Sequence, residues 1–157
     1  MDNEIRNIFV SHIHEDDHRL QPLKDLLAKH GCDARDGSIN SSKPNNAKDP
    51  DYIKSQILAP QIDWASTLVV LITPDTKHSE YVDWEIRYAA EQGKRIIGVW
   101  DRGEDGCDLP PALEELADAV VAWSGEHIVD AIIGDYAGNE NADGTPGPVR
   151  QIARYRC

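Results

Sequence analysis

The chain of 157 residues has few of the features that mark secreted or membrane-spanning proteins. Its three cysteines, Cys32, Cys107 and Cys157, are odd in number and widely scattered, which favours reduced thiols over a disulfide framework or a metal site. No apolar run approaches the roughly 20 residues of a membrane span. The acidic start, Met1–Glu4, predicts that there is no signal peptide. We therefore expect a cytoplasmic protein that does not bind a membrane.

Positive charge is also scarce. The chain has 16 Lys and Arg against 28 Asp and Glu, a formal net charge of −12, and no basic stripe. Nucleic acids and anionic membranes are bound through basic patches, so neither is expected as a partner. Apolar residues make up 40 % of the chain and charged residues 28 %, as in soluble globular proteins. The length suits one domain, and the sequence is compatible with a homo-oligomer as well as a monomer.

Apolar runs alternate with helical patterns and predict an α/β fold with a parallel sheet covered on both faces. The predicted strands are 5–11, 32–36, 67–73, 96–100 and 119–123, and their order 2-1-3-4-5 follows from a half-exposed second strand and a fully apolar third one. Predicted helices lie between the strands. Pro60 is expected to end the second helix and Ser79 to cap the third. The apolar face of the last helix is predicted to consist of Ile128, Val129, Ile132, Ile133 and Tyr136. The domain is predicted to span 1–137, and the Gly-, Asn- and Pro-rich segment 138–157 is predicted to be a flexible tail.

In such sheets, ligands bind at the carboxyl ends of the strands where the strand order reverses, here between strands 1 and 3. Phe9, Ser11 and His12 line one side of this crevice, and residues 73–85 line the other. Glu85 lies roughly 60° from Val82 around its helix, so we expect a carboxylate half in water at the edge of the apolar face.

The side chains around Glu85 suggest how a ligand would be held. Tyr81 and Tyr88 share its flank and offer aromatic surface for a planar ligand. Trp84 points away from the Val82 side of the helix, so an exposed or partner-facing position is the alternative to substrate binding. Asp36 lies on a loop near the same crevice.

Other chemistries fit the sequence less well. The run His12-x-His14-x-Asp16-Asp17-His18 resembles a zinc motif of metallo-β-lactamase-like hydrolases, but it has one residue too many before the last histidine, and no metal is expected. No Gly-rich turn follows strand 1 to bind phosphate. The strand ends lack the acids of a phospho-acceptor receiver domain, and no Ser/His/Asp or Cys/His triad can be assembled.

The chain resembles the TIR-like superfamily, and within it the ThsB branch of the bacterial Thoeris anti-phage system. The residues that carry the resemblance are Ile8–His12, Ala34–Asp36, Ala65–Thr73, Ser79–Ile86 and Gly93–Val99. The resemblance implies a flavodoxin-like, three-layer sandwich. It also implies cleavage of the nicotinamide–ribose bond of NAD, which is the substrate and not a cofactor, and production of a cyclic ADP-ribose-type signal that activates an effector protein.

Within this resemblance Glu85 matches the catalytic glutamate, and Phe9 and Ser11 match the part of the nucleotide pocket formed by strand 1. His12, Asp36, Tyr81 and Trp84 complete the predicted substrate-binding set. Tyr81 and Trp84 replace the commoner Trp-Cys arrangement around the glutamate, which leaves the product type open. Two alternatives remain: a nucleoside deoxyribosyltransferase-like enzyme, which also uses a catalytic glutamate, and a non-catalytic TIR-like interaction module.

Overall fold

Five parallel strands form one sheet in the order β2-β1-β3-β4-β5, as predicted. The computed structural model describes residues 6–12, 20–36, 58–74, 76–101, 109–134 and 140. The strands are β1 (Arg6–Ser11), β2 (Cys32–Asp36), β3 (Thr67–Ile72), β4 (Arg95–Trp100) and β5 (Ala119–Val121). All six residues of β3 are buried, because this strand lies between β1 and β4 with both faces covered.

Five α-helices of the described residues cover the two faces of the sheet. They are α1 (Leu20–Lys29), α2 (Ala59–Trp64), α3 (Glu80–Glu91), α4 (Pro111–Leu116) and α5 (Gly125–Ile133). One face carries Ile8, Val10, Val69, Leu71, Ile97 and Val99, which pack against α1 and α5. The other face carries Phe9, Leu68, Val70, Ile72 and Ile96, which pack against α2, α3 and α4. The result is the three-layer α/β sandwich that the alternating pattern predicts.

Two predictions about the helices are wrong in detail. Pro60 does not end a helix, since it lies in the first turn of α2, where a proline loses no intrahelical hydrogen bond. Residues 51–57, which the sequence assigns to the preceding turns, and Tyr136 of the last predicted helix lie outside the described part of the chain. In α5, Ile133 is 40 % exposed and Val129 is half-buried, because the helix turns Ile128, Ala131 and Ile132 towards the sheet.

Strand register places the ends of β1 and β2 side by side, while β3 continues two residues beyond the partner of Ser11. Val10 lies beside Asp36 in β2, and Ser11 lies beside Val70 in β3. The carboxyl end of β1 is therefore flanked by both neighbours at the point where the chain switches from one side of β1 to the other, the usual ligand position in this kind of sheet.

Glu140 joins the free edge of β5. Its backbone N–H donates to the Val120 carbonyl at 2.8 Å, and its carbonyl accepts from the Trp100 indole N–H at 2.8 Å. Its carboxylate accepts from the Ala122 N–H at 2.9 Å, in place of the carbonyl that a further strand would supply. Glu140 is 7 % exposed and is the one residue of 138–157 that the structure describes. The flexible tail predicted for 138–157 stays a prediction.

None of the helices in the described residues is long and apolar enough to cross a membrane.

The Glu140 contacts predict a graded loss of stability. Replacement Glu140→Ala leaves the buried Ala122 N–H without its acceptor and should lower the free energy of unfolding by about 1–3 kcal/mol in urea titrations. Replacement Glu140→Gln keeps an acceptor oxygen and should cost less. Removing the half-exposed partner, His127→Ala, should cost below about 1 kcal/mol, because the His127 side chain that contacts Glu140 is partly in water. Equal losses in all three variants would contradict this account.

Candidate active site

Helix α3 starts at a well-formed cap. Ser79 is extended, and its side-chain oxygen accepts from the Val82 N–H at 3.1 Å, as the sequence predicts. The cap fixes the first turn of the helix. The following residues, Val82, Ile86 and Ala89, then pack onto the sheet face that carries Phe9 and Val70. This packing determines where the side chains between them point.

Glu85 is more deeply buried than the sequence suggests. Only 5 % of the residue is exposed, whereas the expectation was a carboxylate half in water. With each residue advancing about 100° around the helix, Glu85 lies about 60° to one side of Val82 and Ala90 about 80° to the other. The buried face has turned towards Glu85, which leaves Ala90 only half-buried. The helix therefore holds this carboxylate against the sheet.

Ser11 contacts the carboxylate directly. Its hydroxyl donates to Glu85 Oε1 at 2.5 Å, across 74 positions of sequence. Ser11 is 1 % exposed and, as the last residue of β1, shares a face of the strand with Phe9. A buried carboxylate needs such donors, because leaving water without them costs several kcal/mol. The predicted juxtaposition of strand 1 and Glu85 is thus present as a hydrogen bond.

Further buried polar residues lie at the same edge of the sheet. Thr73 and Thr76 follow β3, and Asp101 follows β4; each is no more than 7 % exposed. The Thr76 hydroxyl accepts from the Thr73 N–H at 2.9 Å and donates to the Leu71 carbonyl at 3.2 Å, which closes the turn after β3. Thr73 and Thr76 fall within the range 73–85 that the sequence predicts to line the crevice. Asp101 was missed, although its position directly after the apolar strand β4 was the available signal.

The aromatic flank of α3 is built by stacking. The rings of Trp84 and Tyr88 lie 5.0 Å apart between centroids and 10° from parallel. The Tyr88 hydroxyl donates to Asp63 in α2 at 2.8 Å. The pKa of Tyr88 is raised, mainly by burial and to a smaller extent by this hydrogen bond. Trp84 is half-buried and packs against the core. Its burial is therefore intermediate between the two alternatives considered from the sequence, an exposed side chain and a substrate-binding one.

The other predicted site residues occupy different environments. Phe9 is fully buried in the core on the sheet face that α3 covers. His12 is half-buried directly after Ser11, and Tyr81 is half-buried on the first turn of α3. Asp36 ends β2 beside Val10, but its side chain lies outside the described part of the structure. His14, Asp16 and His18 of the zinc-like run also lie outside it.

A family match covers this arrangement. Residues 9–105, more than half of the chain, match the model of the Thoeris protein ThsB, TIR-like domain. The chain belongs to this family. All seven predicted site residues fall within the matched range, so the ThsB TIR-like domain includes both partners of the Ser11–Glu85 hydrogen bond.

Structural comparison supports the fold of this ThsB TIR-like domain. The chain is similar to the crystal structure of a conserved protein from Enterococcus faecalis V583, with a TM-score of 0.52 and 12 % identity over 85 % of this chain and 100 % of that one. At that identity the likeness shows the fold alone. Comparison with curated proteins gives no match.

The hydrogen bond predicts that Ser11 and Glu85 are energetically coupled. Replacement Glu85→Met removes both oxygens at similar side-chain length, and Ser11→Ala removes the donor. In a double-mutant cycle of urea unfolding, the two changes should depart from additivity by about 0.5–3 kcal/mol.

Thr67→Val is the matched control for this cycle. It removes another buried hydroxyl, three residues or about 10 Å along β3 from the neighbour of Ser11. Its effect should add to that of Glu85→Met within about 0.5 kcal/mol. Additivity in both cycles would mean that the Ser11 contact contributes nothing.

Proposed function

We propose that this ThsB TIR-like domain consumes NAD in anti-phage defence, cleaving the nicotinamide–ribose bond and producing a cyclic ADP-ribose-type signal for an effector protein. The observation that carries the proposal is Glu85, a carboxylate buried at the carboxyl end of β1 and bonded to Ser11, at the switch point of the sheet. A buried acid between apolar residues of a helix is costly for stability alone, and costly polar groups in a ligand-binding position are candidates for chemistry.

The proposed reaction suits a single carboxylate. The C–N bond between ribose and nicotinamide breaks, and its electron pair neutralises the positively charged ring nitrogen, so the leaving group needs no strong general acid. The ribose carbon becomes oxocarbenium-like. A carboxylate beside it can accept a hydrogen bond from a ribose hydroxyl and stabilise the developing positive charge. A nucleophilic group of the same nucleotide then attacks this carbon and loses a proton, which closes the ring.

The proposed substrate contacts follow from position. We propose that Tyr81, Trp84 and His12 contact the nucleotide; their partial burial, on α3 near Glu85 and directly after Ser11, supports this role. Asp36, at the end of the neighbouring strand, is proposed to bind the same nucleotide. Phe9 would support the pocket from below, since its ring is fully buried. In this proposal the protein acts in the cytoplasm, where NAD is available.

The proposal is tested in cells that carry the complete defence system. Replacement Glu85→Gln keeps the size of the side chain and an acceptor for Ser11 but removes the charge. After phage infection it should abolish protection and lower the nucleotide product, measured by mass spectrometry, roughly 100- to 1,000-fold. Glu91→Gln is the matched control, because it neutralises an exposed glutamate on the same helix, and it should behave as wild type.

Other outcomes identify the alternatives. Protection by the Glu85→Gln variant at the wild-type level would indicate a non-catalytic interaction module. Base exchange on deoxynucleosides by the purified protein, without consumption of NAD in infected cells, would indicate a deoxyribosyltransferase-like enzyme. Either result would overturn the proposed function.

A further inference from the structure

The hydroxyl of Ser11 is engaged by the protein itself. A serine has one hydrogen to donate, and in this structure Ser11 donates it to Glu85 Oε1. While that bond is formed, the same hydrogen cannot be donated to a nucleotide. The residue is also 1 % exposed, beneath the surface that a ligand would contact. These two observations separate Ser11 from the half-buried residues His12, Tyr81 and Trp84.

Glu85 gains orientation from this contact. The terminal torsion of a glutamate side chain is broad, so helix packing alone does not fix the plane of its carboxylate. The hydrogen bond ties one oxygen to the end of β1, which is held between β2 and β3. The backbone of Glu85 is held by the Ser79 cap and by the packing of Val82 and Ile86. The carboxylate is thus fixed between two rigid elements.

The bond also acts on charge. A donor that faces a buried carboxylate favours its ionised form, because it replaces hydrogen bonds with water that burial removes. The proposed reaction needs the ionised form, since only a negative charge stabilises the developing positive charge on the ribose.

We propose that Ser11 is a positioning residue for Glu85 and does not hold the nucleotide. The proposal rests on the proposed function, and it changes the role that the sequence suggests for Ser11, which was direct contact with the substrate. In this proposal Ser11, at the end of β1, contributes to catalysis only by orienting the Glu85 carboxylate and favouring its ionised form.

The test separates kcat from KM. Purified protein is added to extracts of phage-infected cells, and NAD consumption is followed over a range of NAD concentrations. Ser11→Ala should lower kcat roughly 10- to 100-fold, as small misplacements of catalytic groups do, with KM changed less than about twofold. Ser11→Thr, which keeps the hydroxyl and suits a strand, should restore most of kcat. Ser11→Cys, a weak donor of similar size, should lie between Ser11→Ala and wild type.

A pH profile and a control exclude a merely structural role. On the acid side, the pH at which kcat falls to half should be higher for Ser11→Ala than for wild type, because the ionised carboxylate has lost a donor. Thr67→Val removes a buried hydroxyl at the other end of the sheet and should leave both kcat and this pH unchanged, even if it lowers stability.

Opposite results would overturn the proposal. A rise in KM at unchanged kcat in Ser11→Ala would assign Ser11 to nucleotide binding. If the pH at which kcat falls to half is the same in Ser11→Ala and wild type, Ser11 has no effect on the charge of Glu85. If the wild-type protein consumes no NAD, the proposed function is overturned instead. The double-mutant cycle of urea unfolding would then still show whether Ser11 and Glu85 are energetically coupled.

Discussion

The hydrogen bond from Ser11 to Glu85 Oε1 is the constraint on which the site depends. It joins the end of β1 to the second turn of α3, two elements that come together only when β3 has paired with β1 and α3 has packed onto the sheet. A carboxylate with 5 % exposure is unfavourable without donors, so folding and site formation are linked. The same arrangement that costs stability places a carboxylate at the edge of the sheet where folds of this kind usually bind ligands.

The rest of the fold can be understood as the support for this pair. β3 is buried along its whole length and supplies the apolar surface on which Val82 and Ile86 rest. The turn closed by Thr73 and Thr76 sets the distance from β3 to the Ser79 cap, which starts α3. On the far side of the sheet, Glu140 completes the edge of β5 and bonds to Trp100 at the end of β4. Each contact restricts a strand end.

Much of this architecture could be predicted, because apolar runs and caps are local signals. The strand order follows from the half-exposed pattern of Cys32–Asp36 and the apolar run Thr67–Ile72, and the Ser79 cap follows from its position. Periodicity could not give the depth of Glu85, since a rotation of the helix by a few tens of degrees exchanges the burial of Glu85 and Ala90. Nor could it show that Ser11 donates to Glu85, a contact between residues 74 positions apart. Glu140 was missed because one buried acid in a Gly- and Asn-rich segment has no periodic pattern.

The most direct measurement of the central claim is a crystal structure of the protein with a non-hydrolysable NAD analogue. The account predicts that the nicotinamide ribose lies within about 3–3.5 Å of the Glu85 carboxylate, the distance of a productive contact. It also predicts that Ser11 still donates to Oε1 and that Tyr81 or Trp84 contacts the nucleotide. An analogue bound away from the carboxyl end of β1, or one whose ribose lies far from Glu85, would contradict the account.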